Sequence, residues 1–164
     1  MNTNSQTGAV LSPAQASDSK AIWFLGTLAI VKATAETTNG GFGLIENLMP
    51  AGFASPYHLH HDEDEAFYVI EGEVTFFLDG QKSKAGPGAF VFGPRGIPHG
   101  FKVEGNTPAR ILLIAVPGGF EKFVLEMGEP ATAAVLPPPA PPDMAKLMTL
   151  AAKYHIDILG PLPE

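Results

Sequence analysis

The stretch "PYHLHHDEDEAFYVIEG", Pro56 to Gly72, gathers three of the chain's five histidines and five of its seventeen acidic residues into seventeen positions. In an extended chain, side chains two apart share a face. His58 and His60 therefore point to one side, about 6.7 Å apart along the strand. Two imidazoles at that spacing can converge on one ion at about 2.0–2.1 Å. His61 has the opposite parity and points away. Asp62-Glu63-Asp64 reads as a solvated turn, and Glu65 opens the next strand with the parity of Phe67 and Val69, an inward apolar set. From these residues alone, both a charged turn between strands and a metal site stay open.

Outward from this stretch, the chain from Ala21 to Val116 consists of short β-prone runs separated by turn residues. "TLAIVKA" and "GFGLIENLM" flank "TTNGG", a hairpin signal. "EAFYVI" and "EVTFFL" flank Glu71-Gly72, and Asp79-Gly80 closes the second, as tight hairpins require. "AFVF", "HGFKVEG" and "ARILLIAV" complete a series of roughly eight strands with turns about every ten residues, the spacing of a sandwich or small barrel. Beyond Pro117, "GGFEKFVLEMG" places Phe120, Phe123, Val124 and Met127 at helical spacing with Gly128 as a stop. "PPPAPP" at 137–142 is a stiff linker. Asp143 can cap a second helix whose Leu147, Met148, Leu150 and Ala151 form an apolar face.

This organisation divides the chain into a polar N-terminal tail over 1–20, expected to be disordered, and a β-barrel with a following short helix over 21–128. A Pro-rich linker at 129–142 and a C-terminal helix at 143–164, packing on the barrel or on a dimer partner, complete it. The 164 residues suffice for one core burying roughly 70% of the unfolded surface. A formal net charge of −7, with arginine only at Arg95 and Arg110, argues against nucleic acid and anionic membrane as partners. Cysteine is absent, which excludes disulfides and thiolate metal sites. "AIWFLGTLAIV" is far short of the ~20 residues of a spanning helix, and the first twenty residues do not resemble a signal peptide. A cytoplasmic protein is expected.

A second stretch, "GPGAFVFGPRGIPHGF" at 86–101, brings His99 behind a turn shaped by Pro94, Gly96 and Pro98. Together the two stretches resemble the cupin family. Its first motif, G-x5-H-x-H-x3,4-E-x6-G, is met by Gly52, His58, His60, Glu65 and Gly72. Its second, G-x5-P-x-G-x2-H-x3-N, is met by Gly88, Pro94, Gly96 and His99, with Val103 in place of the final asparagine. The resemblance implies an all-β, jelly-roll barrel holding one divalent transition metal ion through His58, His60, Glu65 and His99. Fe, Mn, Ni, Co and Zn all suit such a donor set.

Within that family, "HHDEDEAFYVIEGEVTF", "PGGFEKF" and "LAAKYHIDILGP" look most like the single-barrel quercetin 2,3-dioxygenases. That likeness implies a flavonol oxygen on the metal, Glu65 as the catalytic base, and O2 opening the heterocyclic ring of an aromatic or enol substrate. Phe67, Val69 and Phe101 share parity with the ligands on their strands and are the expected substrate contacts. A non-catalytic metal-dependent sensor and a sugar or sugar-phosphate isomerase are the alternatives. The latter would want basic residues at the pocket mouth, where Arg95, Lys102 and Arg110 are the nearby choices. A homodimer, paired through N-terminal strands, is expected from family habit.

Overall fold

The computed structural model describes residues 21–164, so the expected N-terminal tail lies outside the described residues. One sheet contains β1 (Ala21–Phe24), β2 (Thr27–Ala33), β3 (Gly43–Met49), β5 (Asp64–Glu71), β8 (Phe90–Gly93), β10 (Ala109–Val116) and β11 (Glu129–Pro130). Its spatial order is β11-β1-β2-β3-β10-β5-β8. The other contains β4 (Tyr57–His60), β6 (Val74–Leu78), β7 (Gln81–Ala85), β9 (His99–Val103) and β12 (Ile156–Gly160), in the order β12-β4-β9-β6-β7. Two helices follow the main barrel strands, α1 (Phe120–Met127) and α2 (Met144–Lys153). Two antiparallel sheets facing one another around a shared interior make a jelly roll.

Alternation sets the interior. On β3, β10 and β5 every second residue is buried. The register aligns these residues in rows across the sheet: Gly43, Ala115 and Glu65; Ile45, Leu113 and Phe67; Asn47, Ile111 and Val69. The first row is small apart from Glu65, and the buried Glu121 carboxylate fills the place that a Cβ on Gly43 would take. Phe67, Phe76 and Phe101 meet at centroid separations of 5.3–5.7 Å and fill the barrel behind Glu65. At the turn between β5 and β6, Gly72 has a φ of +81°, and a Cβ there would lie 2.8 Å from Ala109. Both conditions demand glycine.

The structure has more strands than the apolar pattern predicts, for a local reason. β7 is "QKSKA", with only Ala85 buried. As a sheet edge it has no apolar face to display, and its lysines guard the open edge. The C-terminal segment also departs from expectation. The expected helix stops at Lys153, and "IDILG" becomes β12. His155 turns the chain with a φ of +52°. Ile156 and Ile158 then present one face while β12 pairs with β4. Met148, expected on the apolar face of α2, is exposed; Leu147, Leu150 and Ala151 are buried.

The two helices close the barrel differently. Asp143 caps α2 by accepting from the Lys146 backbone N–H at 2.9 Å. At the start of α1, the buried Glu121 carboxylate accepts from Gly119 N at 2.8 Å and Ala35 N at 2.7 Å, tying the helix to the connection after β2. The segment β1 pairs within the chain on both sides, with β2 and with β11.

Because β12 covers the edge of β4 and α2 buries three apolar side chains, truncation after Pro142 is expected to destabilise the barrel. Burial of Leu147, Leu150 and Ile156, at roughly 1.5–3 kcal/mol each, corresponds to a loss of ~10 °C or more in melting temperature. A truncated protein melting with the full chain in calorimetry would contradict this docking role.

Candidate metal centre

Strand β4 supplies His58 and His60 on one face, β5 supplies Glu65, and His99 opens β9 directly opposite His58. The four side chains offer one donor atom each, all within 4.8 Å of one another. Donors sharing an ion at about 2.0–2.2 Å stand at most ~4.4 Å apart, so the cluster has the size of a coordination shell to within a few tenths of an ångström. His60, Glu65 and His99 are buried, while His58 keeps some surface on the adjoining cavity.

The orientation of the imidazoles is fixed from behind. His58 Nδ1 lies 2.8 Å from Pro56 O, His99 Nδ1 lies 3.0 Å from Ile97 O, and His60 Nδ1 lies 3.4 Å from Glu63 Oε2. Each of these partners accepts hydrogen bonds, so each Nδ1 carries its proton and each Nε2 is the atom through which the ring can bind an ion. Two buried atoms of the cluster, His60 Nε2 and Glu65 Oε1, make no hydrogen bond among the described residues, His60 Nε2 standing 3.2 Å from Glu65 Oε2. Unpaired buried polar atoms are costly. Here they belong to one cluster whose donors lie within 4.8 Å of one another, and they are of the type that binds a divalent cation. The donor set therefore fits a metal ion.

The electrostatics fit as well. Burial, together with the neighbouring His99 and His60, pushes the His58 imidazole down to about 3, so it is a neutral ligand at physiological pH. Burial would raise the Glu65 carboxyl, but the neighbouring His60 and the hydrogen bond with His99 outweigh it and hold it at about 2. His99 shifts upward: burial disfavours its cation, yet the hydrogen bond and charge of Glu65 prevail. The His99 Nε2 to Glu65 Oε2 distance is 2.7 Å, a contact that needs a shared proton. A divalent ion bound by all four groups supplies the positive charge that this proton otherwise provides.

Beside the cluster is a cavity of about 70 Å³. Its walls are mostly apolar, with Phe24, Leu25, Ile45, Phe53, Phe120 and Leu147 among them. Besides His58, His60 and Glu65, its polar side chains are Asn47 and Ser55. Ser55 Oγ is occupied, accepting from Phe101 N at 3.0 Å and donating to Pro56 O at 3.1 Å.

Of the expected substrate contacts, Phe101 lines this cavity. Phe67 and Val69 face inward but do not line it; they are 1% and 0% exposed in the core behind the site. Parity along a strand gives the face a side chain occupies but not its height in the barrel. His61 is exposed, its Nε2 2.8 Å from Asp157 Oδ2, far from a ligand's position. Arg95 pairs with Asp64 and Arg110 with Glu46, and neither lines the cavity.

Some functional residues escaped the sequence reading. Glu63, read as part of a solvated turn, is 7% exposed and stands behind His60. Nothing in "DEDE" marks which carboxylate folds inward. Asn47 did carry a signal, a polar residue in the inward parity row of an otherwise apolar strand.

A jelly-roll barrel with a three-histidine, one-carboxylate cluster facing its interior defines a class of metal-site proteins. The chain matches the family model described as a cupin domain over residues 44–115. In fold and over this segment it is similar to the cupin superfamily. Over 107 residues it is 29% identical to quercetin 2,3-dioxygenase of Bacillus subtilis (strain 168), covering 65% of this chain and 32% of that one. The chain spans between 25% and 59% of the length of the curated relatives it matches. A candidate sugar phosphate isomerase from Acidithiobacillus ferrooxidans is 27% identical with a TM-score of 0.53, covering 65% of this chain and 74% of that one. A RmlC-like cupin from Shewanella frigidimarina is 21% identical with a TM-score of 0.58, covering 73% and 99%. No helix of the described residues is long and apolar enough to cross a membrane.

Two substitutions test the ligand set. His60→Ala is expected to empty the site, whereas His61→Ala keeps the wild-type metal content by elemental analysis. Equal losses would sink the assignment. Glu63→Ala, which frees the His60 ring, is expected to weaken metal affinity on the order of tenfold. Unchanged affinity in a competition titration would leave Glu63 without a role at the site.

Proposed function

We propose that the chain is a mononuclear metal-dependent dioxygenase of quercetinase type, acting with O2 on an aromatic or enol small molecule such as a flavonol. The observation that carries this reading is Glu65 Oε1, buried, unpartnered and beside three convergent imidazoles at the end of an apolar cavity. A bound divalent ion would acidify an enol hydroxyl by stabilising its oxyanion. Glu65 is ionised and its free oxygen can take up the proton of that hydroxyl. His58, His60 and His99 hold their places through their Nδ1 contacts while Glu65 does so. The apolar walls bind the body of the substrate and keep bulk water from the deprotonated enol.

A sugar phosphate would need basic partners for its phosphate, and no Lys or Arg lines the inner cavity; Lys82 and Lys102 line the neighbouring groove instead. The cavity as it stands is smaller than the 300–1,000 Å³ of pockets for drug-sized ligands. A flavonol therefore enters only if a wall moves. Leu25, Phe53, Ser55, Pro56, Leu147 and Ile158 line both the cavity and an open groove of about 770 Å³. Leu147 on α2 and Ile158 on β12 make the C-terminal segment one side of that partition.

The test is oxygen uptake by protein loaded with Fe, Mn, Ni or Co, with 3-hydroxyflavone as substrate and a sugar phosphate as comparison. Glu65→Gln is expected to keep part of its metal and bind the flavonol, yet lose turnover by roughly 10²-fold or more. Turnover near wild type in a metal-loaded Glu65→Gln protein would reduce Glu65 to a ligand. Absence of oxygen uptake by wild type with every metal would overturn the dioxygenase reading.

A further inference from the structure

Along β3 the inward row is Gly43, Ile45, Asn47 and Met49. Asn47 is 6% exposed, faces Ala29 on β2 and Ile111 on β10, and lines the cavity beside the metal centre. Its Oδ1 is buried without a hydrogen-bond partner among the described residues. Besides this oxygen, the buried side-chain atoms in that condition are His60 Nε2 and Glu65 Oε1. All three belong to residues that line one cavity. Two are accounted for by a cation. The third is too far along the sheet to share it: Asn47 lies two inward rows beyond Gly43, the residue level with Glu65.

A packed barrel gains nothing from an unpaired amide in an apolar wall, where leucine would serve the fold better. We propose that Asn47 is a second polar contact for the substrate, positioning it and selecting it; this rests on reading the cavity as the substrate pocket. An amide offers both an acceptor and a donor. It is neutral, and no basic residue stands near it in the cavity lining. The matching ligand is a compact, mostly apolar molecule with an acidic enol hydroxyl at the metal end. At the far end it carries a hydroxyl, carbonyl or amide rather than a phosphate or carboxylate. A site built to hydrogen-bond such a group rejects the analogue that lacks it, because the buried amide then stays unpaired.

The matched probes are kojic acid and allomaltol, two single-ring enolones that differ only in a hydroxymethyl against a methyl group across the ring from the enol. Binding to zinc-loaded protein is measured by calorimetry, so no turnover is involved. Wild type is expected to bind kojic acid about tenfold tighter, the size of one added hydrogen bond. Asn47→Leu and the smaller Asn47→Ala are expected to lose that preference while retaining wild-type zinc content. Without ligand, Asn47→Leu is expected to melt ~2–4 °C higher than wild type, since it removes a buried unpaired group. Equal affinities in wild type, or a preference that survives in both variants, overturns the proposal. So does a lower melting temperature for Asn47→Leu, which would make the amide part of the structural framework. If wild type binds neither probe, the enol-dioxygenase reading fails; the melting comparison then decides Asn47 by itself, a rise upholding the proposal and a fall ending it.

Discussion

Opposite one another across β4 and β9 stand His58 and His99, candidate ligands forty-one positions apart in the chain. This cross-strand pair is the constraint to which the remainder of the site is fitted. It brings the turn after β8 against the strand that carries His60. The other sheet then has to deliver Glu65 from across the interior. The register does this by setting Glu65 level with Ala115 and Gly43, at the height of the imidazoles.

Holding a carboxylate and three imidazoles inside an apolar barrel runs against the hydrophobic packing that builds it. The protein resolves this from outside inward. Backbone carbonyls of Pro56 and Ile97 and the carboxylate of Glu63 fix the outer nitrogens. The inner atoms are left for a charge that arrives later. Glu65 lies below its ordinary range through His60 and His99 beside it, and His99 lies above its own through its hydrogen bond with Glu65. Polar atoms with no intramolecular partner are tolerable where a ligand will satisfy them, and in this barrel they gather around one small space.

The far wall of that space comes from the end of the chain. Leu147 on α2 and Ile156 and Ile158 on β12 pack over it, and β12 is hydrogen-bonded to the strand that bears two of the ligands. Movement of this segment would alter the space and the edge of β4 together. Stability and access are thus coupled through the same few side chains.

The sequence by itself determined the alternation that makes the strands, the parity that put His58 and His60 on one face and turned His61 out, and the glycine-proline turn before His99. These are local properties, set by a two-residue period and by φ restrictions within a few positions. The helix over "FEKFVLEM" was legible for the same reason. Tertiary structure alone decided the rest. It chose Glu63 from the acidic run to stand behind His60, since which carboxylate folds inward depends on where β5 meets the barrel. It assigned Phe101 to the cavity and sank Phe67 and Val69 behind it, since height in a barrel follows from register with other strands. It turned "IDILG" from helix into strand, because β4 had a free edge to be paired. Short-range rules name the residues that can face inward; only the closed sheets decide which of them meet.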